Sequence, residues 1–114
     1  MGFILLVKWI AVGVTLLFGL YAMVKPTTLG ALTGLQTSGP RGTTELRAVT
    51  GGTFLGLATA CILLKSPVAF TMLGICYAAI AVIRAISIVL DKSMSRSNVI
   101  SLVAEIILAI LLVL

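Results

Sequence analysis

The chain contains no histidine, and its only carboxylates are Glu45, Asp91 and Glu105. Without imidazole, proton relay through histidine, histidine-ligated haem and the usual zinc ligand sets are excluded. Ser87, Ser101, Cys61 and Cys76 lack a base to activate them as nucleophiles. No catalytic residue is therefore assigned: the chain is expected to be a non-enzyme, with no metal and no cofactor. Cysteine is scarce too. Cys61 lies about four residues and Cys76 about ten from a turn at Lys65 and Ser66, a depth difference of about 9 Å that a disulfide does not span, so both are expected as free thiols.

Charge is the third shortage, at 10% of residues against 61% hydrophobic. That balance takes the chain out of the water-soluble range. The basic residues give a net charge of +5 but are scattered from Lys8 to Arg96 without a stripe or an aromatic platform, so nucleic acid is not an expected partner.

What remains is apolar and long. The runs Phe3 to Val24, Ala48 to Leu64, Pro67 to Leu90 and Val99 to Leu114 each approach the roughly 20 residues that cross hydrocarbon. They predict an all-α integral membrane four-helix bundle, a single transmembrane domain over residues 1–114, with helices at about 3–24, 46–64, 67–90 and 98–114 joined by short loops. Strand alternation is missing, and an open sheet would leave backbone groups unpaired in lipid. Four spans put both termini on one side. The loops at 25–45 and 91–97 carry Lys25, Arg41, Lys92 and Arg96 against Lys8 and Lys65 on the terminal side, which predicts cytoplasmic loops. The first run lacks the basic start of a secretory leader and is expected to be retained, and Leu6 does not fit a myristoylation signal.

Two opposite charges interrupt these runs, Arg84 in the third and Glu105 in the fourth. A lone charge at a membrane helix centre costs about 2.5–3.5 kcal/mol on insertion scales, so each needs compensation. Arg84 lies seven residues before Asp91 and Glu105 seven after Asn98. At 1.5 Å per residue both sit about 10 Å from the same end of their helices. They are expected to pair. Glu45 and Arg47 open the preceding helix, and both Arg47 and Arg84 lie eighteen residues from the Lys65 and Ser66 turn. Glu45, Arg47, Arg84 and Glu105 are therefore predicted to form one charge cluster beneath the loop-side face.

Small residues recur every four positions at Ala11, Thr15 and Gly19, at Gly52, Gly56 and Ala60, and at Gly74 and Ala78. Such stripes let helix backbones approach closely where lipid removes the hydrophobic incentive to associate. Gly51, Gly52, Gly56, Gly74 and Ala78 are the predicted packing positions. Helix three aligns Gly74, Tyr77, Ala81 and Arg84 on one face, and helix four aligns Ser101, Glu105 and Ala109, which marks both faces as interior. Tyr77 is the candidate contact for a ligand's polar group. Trp9 and Tyr21 are expected to anchor the two ends of helix one, with Lys8 snorkelling along its stem. In the first loop, Leu29, Leu32 and Leu35 suggest a short interfacial helix, broken by Gly39-Pro40 and Gly42.

The motif Glu45-Leu46-Arg47-Ala48 followed by Gly51-Gly52 resembles a family of small bacterial membrane proteins called domain of unknown function 4345, itself similar to DoxX-like four-helix proteins. The likeness extends to Gly19-Leu20-Tyr21, Pro26, Arg84, Ser87, Asp91 and Ala104-Glu105, and departs at Thr50, where the family has an aromatic residue. It implies the fold and a place in the bacterial inner membrane, and no activity. Three functional readings follow. The chain is an accessory or assembly subunit of a larger membrane complex; or it binds a lipid, quinone or pigment; or it is a small proton-coupled transporter. An arginine opposite Glu105 speaks against the last, because a neighbouring cation favours the charged carboxylate over proton exchange. The expected partners are the lipid bilayer, other membrane subunits and a hydrophobic small molecule.

Overall fold

All three prolines open a helix, where a missing N–H costs nothing and the fixed φ is already helical. The computed structural model describes residues 2–114, and among them regular structure is helical throughout. Helix α1 spans Gly2–Val24, and Pro26 starts the short α2, Pro26–Thr33, which ends at Gly34 in the left-handed conformation, φ 84°. Helix α3 runs Pro40–Leu64 and contains a π-helical turn at Leu46–Gly51. Helix α4, Pro67–Leu90, is capped by Ser66, whose hydroxyl accepts from the Val68 N–H at 3.1 Å. Helix α5, Arg96–Val113, is capped in the same way by Ser95.

Two starts differ from the sequence expectation. Helix α3 begins at Pro40 rather than near residue 46, because Gly39, at φ 94°, ends the loop and Pro40 nucleates the helix that follows. Gly39-Pro40 does end the preceding leucine-rich segment, but it also marks a beginning. Helix α5 begins at Arg96 rather than 98 because Ser95 supplies the cap.

Helices α1, α3, α4 and α5 are each long and apolar enough to cross a membrane. Their side chains confirm that lipid is the fitting surround: Phe3, Leu17, Val68, Ile83 and Val89 are among many large apolar residues left exposed. The chain is a membrane protein.

The chain groups into two compact units, one of the described residues up to Ala11 with Ser66–Leu114, the other Val12–Lys65. In the first, α4 buries Phe70, Leu73, Gly74, Tyr77, Ala81 and Ile88, at successive steps of three, one, three, four and seven that keep to one helical face. Gly74 sets the separation of α4 and α5: a Cβ there would lie 2.8 Å from Val113 Cγ1 and 3.2 Å from the Ala109 carbonyl oxygen. Trp9 meets Phe70 edge-on at 5.1 Å between ring centroids, and Lys8 Nζ stands 5.8 Å from the same ring. The Trp9 ring thus packs against a neighbouring helix.

In the second unit α1 and α3 cross at glycines. Helix α1 buries Val12, Thr15, Gly19 and Ala22 in one stripe. A Cβ on Gly19 would come within 2.7 Å of the Leu55 amide nitrogen, and one on Gly51 within 3.1 Å of the Met23 nitrogen. Phe18 and Phe54 close the margin edge-on at 5.0 Å. Gly52 and Gly56 have open space around them, and Ala78 on α4 is exposed. The four-residue repeat marks a surface that permits close approach, but the neighbour lies on the adjacent face, through Gly51.

Gly19→Ala and Gly56→Ala should therefore diverge. The first forces backbone apart and is expected to cost about 1–3 kcal/mol, whereas the second gains up to about 1 kcal/mol of helix propensity. Unfolding in mixed detergent micelles measures both, and the reverse ranking would contradict the crossing.

Candidate functional site

Residues 91–95 form a short reversal between α4 and α5, held by a left-handed Lys92, φ 50°, and by the Ser93 N–H donating to the Ile88 carbonyl at 3.1 Å. Seven residues back along α4 and seven on from Asn98 along α5, Arg84 and Glu105 arrive side by side. Arg84 Nε donates to Glu105 Oε1 at 2.8 Å and Arg84 Nη2 to Glu105 Oε2 at 2.7 Å. This two-pronged geometry is the strongest that guanidinium and carboxylate can make. The side chains are 32% and 12% exposed, respectively, so the carboxylate is the better covered partner. Arg84 lies in the candidate span Pro67–Leu90 and Glu105 in Arg96–Val113.

The pair continues as a polar chain toward the turn. Arg84 Nη1 donates to Asn98 Oδ1 at 2.9 Å, and Asn98 Nδ2 donates to the Ser93 carbonyl at 3.0 Å and lies 3.2 Å from Ser93 Oγ. Asn98 thereby links the guanidinium to the loop backbone. Its role was not part of the sequence expectation, which placed it at the end of a turn. The signal was present: Asn98 and Glu105 are seven residues apart, two turns of one helix, and so share a face.

The other predicted site residues are placed as follows. Tyr77 is buried, two turns before Arg84 on the same face of α4. Glu45 and Arg47 belong to the other unit. The Glu45 carboxylate is engaged by Arg41, one turn earlier on α3, a residue the sequence reading left in the loop; with both side chains largely exposed, this pair adds little stability. Arg47 sits in the π-helical turn, is exposed, and forms no ion pair among the described residues. Of the four charges expected together, Arg84 and Glu105 are the two brought into contact with each other.

Chemically, the centre is a neutralised ion pair with a neutral amide attached. Both carboxylate oxygens and three guanidinium N–H groups are engaged within α4, α5 and their turn. It is built to hold two helices in register. The sequence matches the family model for domain of unknown function 4345 over residues 4–114. Comparison with curated proteins and with solved structures returns no match.

Removing either charge strands the other. Arg84→Leu and Glu105→Leu are each expected to destabilise by about 3 kcal/mol, near the low end for a covered pair because Arg84 is partly exposed, with the double variant recovering much of the loss. A double-mutant cycle with coupling below about 0.5 kcal/mol would show the pair to be energetically idle. Asn98→Ala, which removes one hydrogen bond to a charged group, is expected to cost about 1.5 kcal/mol in the same assay.

Proposed function

Since the chain belongs to the family of domain of unknown function 4345, whose description assigns no activity, we propose its role from the ion pair: it is a non-enzymatic accessory or assembly subunit of a larger membrane complex. Arg84 and Glu105 act there as an intramembrane salt bridge that keeps α4 and α5 rigid for docking. The observation that carries this reading is that Glu105 has both oxygens bound by Arg84. Glu45 is likewise engaged, and Asp91 lies in the turn, so the carboxylates within the spans are committed to cations rather than poised for proton exchange. That weighs against a proton-coupled carrier. Tyr77, the candidate ligand contact, is already covered by protein, which weighs against a quinone or pigment site at its ring.

The surfaces suit a subunit. Nearly all of the chain lies in the four spans and their short connections, while their outward faces remain apolar. The favoured setting is the inner membrane of a bacterium, in the manner of DoxX-like proteins. Lys25, Arg41, Lys92 and Arg96 lie at the cytoplasmic side and both termini opposite, following the preference of basic residues for that side.

Extraction of a tagged chain in gentle detergent, followed by size separation and mass spectrometry of what co-migrates, tests the role. Stoichiometric partner chains are expected, and their loss on Glu105→Leu in a chain that still inserts. Migration at the mass of the chain alone from native membranes would remove the assembly role.

A further inference from the structure

Covered positions on α3 follow one helical face through Thr43, Leu46, Thr50, Phe54, Ala58 and Cys61, with Gly51 added beside it. Gly42 and Thr43 are partly covered before the π-helical turn; within it Leu46 and Gly51 are buried and Thr50 is partly covered, and beyond it Ala58 and Cys61 are buried with Phe54 and Leu55 partly covered. Leu46 and Gly51 are five residues apart, about 140° round in an α-helix. A π-helical turn, one residue wider, brings that spacing onto one face. Carried back at ordinary helical spacing, Thr50 aligns with Leu46, whereas Gly51 alone would align with Arg47 and Ala48. Both are exposed. Leu46 thus faces inward and Arg47 outward on α3, and the π-helical turn adds Gly51 to the inward side.

Outward, the guanidinium has no charged partner among the described residues, because Arg41 and Glu45, one turn earlier, satisfy each other. Arg47 lies seven residues into the span Pro40–Leu64, about 10 Å along it. A bare charge at that depth is costly, but an arginine stem is long enough to carry its head back to the level of the phosphates. Ala48 and Val49 beside it are exposed and apolar, a surface matched to acyl chains. Guanidinium is also the side-chain group whose planar fork fits two phosphate oxygens.

We propose that Arg47, exposed within the π-helical turn, is a lipid-headgroup site whose guanidinium binds the phosphate diester of an anionic phospholipid lying against α3. This rests on the membrane placement of the chain and not on its role in assembly.

The full chain, reconstituted in nanodiscs of equimolar phosphatidylglycerol and a phosphate-free galactolipid, is released and its retained lipids are counted by native mass spectrometry. The unaltered protein should retain phosphatidylglycerol in preference to the galactolipid. Arg47→Gln should lower phosphatidylglycerol retention about fivefold, the effect of one basic side chain at an anionic surface, while Arg47→Lys keeps most of it and Lys8→Gln changes nothing. Equal retention of the two lipids by the unaltered protein overturns the proposal, and this arm requires no variant to fold. So does phosphatidylglycerol retention unchanged by Arg47→Gln, including the case in which that variant loses a protein partner instead. Because no partner chain enters this assay, its failure is separable from failure of the co-migration experiment.

Discussion

An unmatched charge is the constraint around which this apolar chain is arranged. With few ionisable groups and long hydrophobic runs, a carboxylate or guanidinium inside a span must find an opposite charge or reach water. Arg84 and Glu105 take the first course, through two parallel hydrogen bonds that fix the distance, rotation and register of α4 against α5 at once. Leucine pairs at the same positions would tolerate sliding; a two-pronged ion pair does not. Gly74 allows the opposite end of the same helix pair to close, so α4 and α5 are fastened near both ends by unlike means, charge at one and the absence of a side chain at the other.

The second unit relies on shape rather than charge. Gly19 and Gly51 let α1 and α3 approach until backbone meets backbone, and Phe18 with Phe54 fills the margin. Such contact is what drives helix association when lipid tails are as apolar as the side chains. The π-helical turn is part of this arrangement, because its last residue, Gly51, meets the α1 backbone at Met23 while the helix continues without a kink-forming proline.

Much of this could be read from residue order. Hydrophobic run length located the four spans, and the equal offsets of Arg84 and Glu105 from their turn identified the pair, because helical rise converts sequence distance directly into depth. The stripe at Ala11, Thr15 and Gly19 correctly marked the inward face of α1, as Gly74, Tyr77 and Ala81 did for α4. What escaped notice depended on information that spacing does not hold. An added residue in a π-helical turn leaves no local signature, so the widening at Leu46–Gly51 is not visible in residue order. Gly52 and Gly56 were as small as Gly51, and only the approach of α1 selects among them. Arg41 stays hidden because Gly39-Pro40 reads as a break, whereas Pro40 in first position is a start.

The short reversal at residues 91–95 bears on biogenesis. During synthesis α4 would leave the ribosome carrying a bare guanidinium, and α5 would follow carrying a bare carboxylate. Because so few residues separate them, the hairpin can become electrically neutral before either helix faces acyl chains. The cost of transferring each charge separately is then avoided, which favours entry of the two helices into the bilayer together rather than in sequence.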